Sequence, residues 1–158
     1  MKRVTGIGGV FFRAKDPEKM REWYSNRLGI PNMTKYGGVL DWKRSDKENK
    51  YGHTVWSPMD ENTKYLDPSK SQLMVNYRFE NLEELLKFLK EKGVDIVGEV
   101  EVYDYGKFGW ILDPEGNKIE LWEPSRCNTK YFFSFTSYTD PFVPRPSDGA
   151  CVSTGAID

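Results

Sequence analysis

The segment Glu120-Leu121-Trp122-Glu123-Pro124 repeats, with changes, the spacing of tryptophan and proline in Thr54-Val55-Trp56-Ser57-Pro58. The two tryptophans are 66 residues apart, and a similar offset of 65 relates Gly9-Val10-Phe11-Phe12-Arg13 to Met74-Val75-Asn76-Tyr77-Arg78. Each of these earlier segments leads into a helix-start signal. Two copies of one supersecondary unit predict an internal pseudo-twofold, with a site between the copies.

The composition favours a single domain that handles a small molecule. The chain has 158 residues, a formal net charge of −1 and 15 % aromatic residues, including five tryptophans. Balanced charge argues against a nucleic-acid partner, and no apolar run is long enough to predict a membrane span. The start of the sequence lacks the pattern of a secretory signal, and the only cysteines are Cys127 and Cys151, so we expect a cytoplasmic protein.

Module one is predicted over residues 4–58. A strand at 4–13 precedes a helix that Asp16 caps, that has Pro17 in its first turn and that Gly29 ends. Three strands follow, at 32–36, 38–43 and 53–57, and residues 59–70 form the linker to the second module.

Module two is predicted over residues 71–124 with the same plan. After a strand at 72–79, Asn81 and Glu84 form a capping box at the start of a helix that ends at Gly93. Strands follow at 94–103 and 107–112, and the tight turn at 113–117 leads into the last strand, 118–122.

The predicted fold is therefore α+β, with two tandem β-α-β-β-β modules forming a cup-shaped mixed sheet and the helices on its outer face. One domain covers residues 1–124. Residues 125–158 form a C-terminal tail that is aromatic in its first half and rich in Pro, Gly and Ser in its second. The tail is either a flexible terminus or an arm that packs its aromatic side chains on the cup or on a partner subunit.

With this arrangement the sequence resembles the vicinal oxygen chelate superfamily, which includes glyoxalase I, bleomycin resistance proteins and extradiol dioxygenases. The resemblance covers residues 4–124 and depends on Trp23-Tyr24, Leu28-Gly29-Ile30 and the Asp113–Pro124 segment. It implies the fold strongly and the activity weakly, because the superfamily supports many chemistries. It also implies a homodimer, since many relatives dimerise.

The resemblance to glyoxalase I assigns four metal-ligand positions, Gly9, Thr54, Met74 and Glu120. Only Glu120 is an ordinary ligand for a hard divalent cation, and a catalytic site needs about three protein ligands. We therefore expect no metal and no other cofactor.

Strand alternation predicts the side chains that face the cup. Glu120 is the candidate catalytic residue, as an acid or base, or else a structural carboxylate that balances Arg13 or Arg78. The two tryptophans could stack on a ligand or form core, and the single histidine, His53, is predicted on the opposite face. The predicted ligand-binding residues are Phe11, Arg13, Trp56, Asn76, Arg78 and Trp122.

Three functions are compatible with the sequence. The first is a protein that binds a small aromatic or carboxylate-bearing molecule in an aromatic-lined cup without a divalent metal. The second is a glyoxalase-related lyase or isomerase that uses Glu120 as acid or base, with arginine stabilising the oxyanion. The third is a protein-interaction module that uses the aromatic tail.

Overall fold

The computed structural model describes residues 4–43 and 51–125, and within them seven strands form one mixed sheet that carries two helices. This confirms the predicted α+β class. The helices are α1 (Pro17–Leu28) and α2 (Leu82–Glu91). The strands are β1 (Gly6–Ala14), β2 (Gly38–Lys43), β3 (Tyr51–Asp60), β4 (Leu73–Arg78), β5 (Ile96–Tyr103), β6 (Gly106–Leu112) and β7 (Lys118–Pro124).

The order of the strands shows the internal repeat. The sheet runs β2-β3-β1-β4-β7-β6-β5, with β1 and β4 antiparallel at its centre. Each central strand pairs in parallel with the closing strand of its own module, β1 with β3 and β4 with β7. The sheet is open, so β2 and β5 form its two edges.

Both helices start and stop at the predicted signals. Asp16 Oδ1 accepts the Lys19 N–H at 3.0 Å, and Gly29 ends α1 in the left-handed conformation with φ 68°. At α2, Asn81 Oδ1 accepts the Glu84 N–H and Asn81 Nδ2 donates to the Glu84 carboxylate, both at 3.1 Å. The capping box is therefore confirmed, with both partners satisfying each other's polar groups.

The predicted strand at 32–36 is wrong. Thr34 and Gly37 instead close a tight turn by exchanging two backbone hydrogen bonds, and together they form only an isolated bridge. Pro31 lacks a backbone N–H, and Asn32 has φ 53°, which no regular strand allows. Module one is therefore β-α-β-β in the described residues.

The sheet separates two apolar clusters. The helix-side cluster consists of Phe79, Leu82, Leu85 and Leu121. The concave-side cluster consists of Phe11, Leu66, Met74 and Trp110. Leu66 is fully buried although it belongs to no strand or helix.

Leu66 lies in the connection between β3 and β4, residues 61–72, which we call the strap. The strap corresponds to the predicted linker, 59–70, but it does not simply join the modules, because it covers part of the concave face. None of the described helices is long and apolar enough to cross a membrane. The tail beyond residue 125, for which an arm was one prediction, lies outside the described residues.

Candidate functional site

A buried carboxylate is the centre of the concave face. Glu120 on β7 has no exposed surface, and strand register places Asn76 of β4 and Trp110 of β6 on either side of it. Asn76 Nδ2 donates to Glu120 Oε1 at 2.6 Å, and Trp110 Nε1 donates to Oε2 at 2.8 Å. Tyr65 of the strap also donates its hydroxyl to Oε2. Three uncharged donors thus satisfy one buried carboxylate.

The ring of Tyr65 fits among side chains of the sheet. Its edge-on aromatic neighbours are Phe11, with ring centroids 5.9 Å apart, and Trp110, at 6.3 Å. Lys118 Nζ lies 5.5 Å from the centre of the Tyr65 ring and donates to the Tyr65 carbonyl oxygen at 2.7 Å. The strap therefore places a phenol against Glu120 and fixes it by backbone and side-chain contacts.

Burial decides the ionisation of this group of residues. Loss of water raises the pKa of Glu120, and the hydrogen bonds from Tyr65, Asn76 and Trp110 oppose that rise. Burial, and then the charge of Glu120, raise the pKa of Tyr65 well above its ordinary value, so the phenol stays protonated. Burial also lowers the pKa of Lys118, against the attraction of Glu120.

Five of the predicted ligand-binding residues share the face of Glu120 by strand alternation, and three of them, Phe11, Asn76 and Trp122, form its wall. Phe11 belongs to the concave cluster, and Asn76 bonds to Glu120 directly. Trp122 is buried, stacks on Phe108 with centroids 6.1 Å apart, and donates Nε1 to the Tyr105 carbonyl oxygen at 3.3 Å. It therefore packs as part of the wall.

Arg13 does not pair with Glu120. Its guanidinium donates to the Ser71 carbonyl oxygen at 2.5 Å and reaches the Asp67 carboxylate at 3.4 Å, so it ties down the strap. Arg78 is half-buried at the end of β4, in register with Trp122. The three donors to Glu120 instead come from Tyr65, Asn76 and Trp110.

The predicted position of Trp56 on the cup face is wrong. Its ring contacts Phe12, with centroids 4.9 Å apart, and Tyr24 of α1 at 4.2 Å, so it lies under the helix. Thr54 shares that face by alternation and bridges Trp42 Nε1 to the Ile7 carbonyl oxygen. By the same alternation His53 lies on the concave face, opposite to our expectation. Its Nδ1 is 2.5 Å from Asp41 Oδ1.

Strand pairing explains this error. Val10 pairs with Trp56, and its equivalent Val75 pairs with Ile119. The closing strands are therefore related by an offset of 63 and not by the 66 that aligns the two tryptophans. Ser57, not Thr54, is the counterpart of Glu120, and Ser57 is buried with its hydroxyl donated to the Tyr36 carbonyl oxygen at 2.6 Å.

The residues present do not fit the divalent metal that the family resemblance suggests. Gly9 has no donor, Met74 is buried among apolar side chains, and Thr54 lies on the other face. The Glu120 oxygens already accept bonds from three N–H and O–H groups. Across residues 4–43 and 51–125, no three His, Cys, Asp or Glu side chains converge as a metal-binding group.

An open cleft of about 620 Å³ at the carboxyl ends of β1 and β3 is lined in part by Tyr65. Its rim carries three cations, Lys15, Arg21 and Lys35, and its inner wall includes Met59. Acidic residues line it as well, but Asp16 already bonds to Lys19. The cleft therefore offers a charged entrance that leads to an apolar and aromatic wall.

Sequence reasoning missed Tyr65, Trp110 and Lys118. A signal for the first was present, because Tyr65-Leu66 is an apolar pair within an otherwise polar, proline-containing connection. Such a pair favours an anchored segment over a free linker. Trp110 and Lys118 occupy positions on β6 and β7 that alternation could have assigned to the concave face, beside Glu120.

Solved structures of other proteins share this fold at low sequence identity. A Streptomyces coelicolor methylmalonyl-CoA epimerase in complex with 2-nitronate-propionyl-CoA is 14 % identical, with a TM-score of 0.57 over 78 % of this chain and 99 % of that one. A methylmalonyl-CoA epimerase in complex with methylmalonyl-CoA and NH4+ is 15 % identical, with a TM-score of 0.57 over 78 % and 97 %. At such identities the likeness concerns the fold alone.

No curated protein matches the chain significantly. The sequence model of the Glyoxalase/Bleomycin resistance protein/Dioxygenase superfamily matches residues 6–121, which is most of the chain and includes both modules. The match includes both central strands, both helices and Glu120. The chain belongs to the glyoxalase/bleomycin resistance protein/dioxygenase superfamily.

Proposed function

We propose that this protein binds a small aromatic or carboxylate-bearing molecule on the concave side of its sheet, without the divalent metal of its metal-dependent relatives. The observation that carries this proposal is the donor set of Glu120. Its carboxylate is fully buried and satisfied by Tyr65, Asn76 and Trp110, while the other positions of the metal site carry no ordinary ligand. A polar group within an aromatic wall suits a small-molecule site.

The cleft supports the choice of an anionic ligand. Lys15, Arg21 and Lys35 form no ion pair within the described parts of the chain, although Lys35 lies over the Tyr36 ring. Asp16, Glu18 and Asp60 also line the cleft, so the cations would act as local anchors for a carboxylate and not through net charge. The apolar part of the ligand would then contact Met59 and Tyr65. Arginine and lysine at a partly enclosed rim are typical anchors for such a group.

The direct test is binding by metal-free protein. Protein treated with a chelator should contain no stoichiometric transition metal, and it should bind members of a panel of small aromatic carboxylates in calorimetric titration. The triple variant Lys15→Gln, Arg21→Gln, Lys35→Gln should bind the same compounds more weakly, and neutral amides of those compounds should show little difference between the two proteins. Binding that appears only after a divalent metal is restored would contradict the proposal.

A second function is favoured by the raised pKa of Glu120. A carboxyl group whose pKa is raised by burial, with a protonated phenol beside it, is suited to proton transfer in a lyase or isomerase. The test is Glu120→Gln in a protein with measured turnover. Loss of turnover with unchanged ligand affinity would support catalysis, whereas unchanged turnover would remove Glu120 from the chemistry.

We further propose that the protein is a cytoplasmic homodimer. The family resemblance supports dimerisation, as do two exposed apolar side chains on α1, Trp23 and Leu28. Light scattering should then give twice the chain mass of 18.4 kDa. The interaction-module hypothesis depends on the tail, which lies outside the described residues.

A further inference from the structure

The strap and the sheet contribute differently to the site around Glu120. The walls around the Tyr65 ring come from the sheet, namely Phe11 of β1, Trp110 of β6 and Lys118 and Glu120 of β7. The ring itself comes from the strap. The sheet thus forms a pocket, and a side chain from outside the sheet occupies it.

The chemistry of this pocket is specific for a hydroxyl group on an aromatic ring. Two aromatic edges and an ammonium group surround the ring, and Glu120 Oε2 accepts its hydroxyl. The remaining hydrogen bonds to the carboxylate come from Asn76 and Trp110, which belong to the sheet and stay in place. One phenolic hydroxyl therefore completes the set of donors.

The strap is attached to the sheet at few points. Its backbone hydrogen bonds are turns within and beside it, Thr63 N–H to Asp60, Asp67 N–H to Lys64 and Ser69 N–H to Leu66, and one bond to the sheet at its end, Arg13 N–H to Gln72 at 2.9 Å. Side chains of the sheet hold it at the Tyr65 and Ser71 carbonyl oxygens, through Lys118 and Arg13. Movement of the Tyr65 segment breaks these side-chain contacts and uncovers Leu66, but it breaks no strand pairing in the described parts of the chain.

The cleft makes the occupied pocket reachable. Tyr65 is part of its wall, together with Met59 and Thr63, so a small molecule in the cleft lies against the residue whose ring fills the pocket. A ligand that carries the same functional group as Tyr65 could then take its place while the strap swings outward.

We propose that the pocket of Phe11, Trp110, Lys118 and Glu120 is a binding site for hydroxyaryl compounds, and that Tyr65 occupies it until such a ligand displaces the strap. This inference rests on the proposed function, because it names the ligand class for the concave site. It goes further in assigning the strap as a competitor built into the chain.

The test compares wild type with Tyr65→Ala, using 4-methylphenol as the probe and 4-methylanisole, which lacks the hydroxyl donor, as its control. Removing the competitor should strengthen binding of 4-methylphenol about tenfold or more, and the variant should prefer it to 4-methylanisole about tenfold, as one hydrogen bond to a charged acceptor predicts. Equal affinities of wild type and variant, or no preference for the phenol, would overturn the proposal.

A second measurement uses the wild-type chain. Saturation with 4-methylphenol should increase hydrogen exchange at strap amides, since the ligand releases the segment, while exchange in β7 should not increase. A ligand that binds elsewhere would leave strap exchange unchanged or slow it, and this result would also overturn the proposal.

Tyr65→Phe decides the matter if the alanine variant does not fold. Phenylalanine keeps the ring and loses only the hydroxyl, so the strap competes less well and 4-methylphenol should bind more tightly than to wild type. Tyr103→Phe is the matched control, because the Tyr103 hydroxyl donates to Glu101 and the ring stacks on Tyr105, so its loss removes no donor to Glu120 and should leave the affinity unchanged. Identical affinities in Tyr65→Phe and wild type would count against displacement.

These results separate the two proposals. If wild type binds aromatic carboxylates but Tyr65→Ala gains no affinity for 4-methylphenol, the proposed function stands and the hydroxyaryl site does not. If Tyr65→Ala binds 4-methylphenol selectively while the aromatic carboxylates do not bind to wild type, the hydroxyaryl site stands and the anionic ligand of the proposed function does not.

Discussion

The two helices occupy equivalent positions and differ in how they pack. α2 buries Leu82 and Leu85 against the sheet, with exposures of 0 % and 4 %. α1 has no buried residue, and its Trp23 and Leu28 are 52 % and 63 % exposed. The caps are repeated in both modules, whereas burial is not. Module two therefore has the stronger core, and module one leaves an apolar helix surface uncovered in the described chain.

The concave face shows the same asymmetry in its polar groups. Module two supplies Asn76, Trp110 and Glu120, while module one places Ser57 at the position that matches Glu120. Ser57 bonds to a backbone carbonyl and contributes no charge. The buried carboxylate of the site thus belongs to module two, module one contributes wall residues, and the strap between the modules supplies Tyr65.

The largest loss of stability should come from Glu120→Ala. The change leaves three donors buried with no acceptor, on Tyr65, Asn76 and Trp110, so we expect a loss of about 3–5 kcal/mol in the free energy of unfolding. Ser57→Ala at the matching position removes one donor and should cost about 1 kcal/mol. Urea denaturation of both variants measures the difference. Equal losses would mean that the two modules are energetically alike.

Glu120→Gln is the control for that experiment. Asn76 Oδ1 is buried without a hydrogen-bond partner in the described residues, so a flipped Asn76 amide could accept from the new glutamine N–H while Trp110 and Tyr65 keep their acceptor. We therefore expect a much smaller loss than with alanine. A loss as large as that of alanine would show that the charge of Glu120, and not its acceptor geometry, holds the site together.

The next largest loss of stability should distinguish the packing of α2 from that of α1. Leu85→Ala creates a cavity in the helix-side cluster and should lower the free energy of unfolding by about 2–4 kcal/mol. Leu28→Ala, at an exposed position near the end of α1, should change it by less than about 0.5 kcal/mol. Thermal unfolding at a concentration where the protein is monomeric measures both. A large loss at Leu28 in the monomer would contradict the exposed packing of α1.

Leu28→Ala also tests the dimer. If the uncovered surface of α1 contacts a second copy, the variant should raise the dimer dissociation constant while leaving the stability of the monomer nearly unchanged. Analytical ultracentrifugation over a dilution series measures this constant, and Lys87→Ala on α2 is a surface control. Unchanged dissociation in Leu28→Ala would exclude this part of α1 from the interface.

Local signals predicted most of the fold. The caps at Asp16 and Asn81 and the turn at 113–117 depend on short-range hydrogen bonds, and Asp113 indeed accepts the backbone N–H groups of Glu115 and Asn117. The position of Glu120 on the last strand could be predicted for the same reason, because it follows that turn at a fixed distance, whereas its candidate role came from the family resemblance. These features depend on residues that are close together in the sequence, so they can be predicted without the rest of the molecule.

The positions of Trp56 and Tyr65 could not be predicted from the sequence, because they depend on contacts between distant parts of the chain. β3 extends to Asp60, beyond the proline that resembled a strand end, and its register with β1 sets its faces. The Trp–Pro spacing carries no information about that register, and a shift of one residue moves every side chain to the other face. Tyr65 was missed because a connection has no periodicity, and only the tertiary structure shows where it packs.

The smallest change in stability should come from the helix caps, and its dependence on pH should distinguish the two caps. The Lys19 backbone N–H, and then the Lys19 ammonium group, lower the pKa of Asp16 below its ordinary 3.8, whereas Asn81 does not titrate. A lowered carboxyl pKa contributes stability that is present above the unfolded pKa and is lost as pH falls through the folded one. The stability difference between wild type and Asp16→Ala should therefore shrink as the pH is lowered below about 4. That of Asn81→Ala, measured in a Glu84→Gln background that removes the carboxylate bonded to Asn81, should stay constant. Urea denaturation at several pH values gives both differences, and a parallel decline at the two caps would mean that acid acts on the whole sheet and not on the α1 cap.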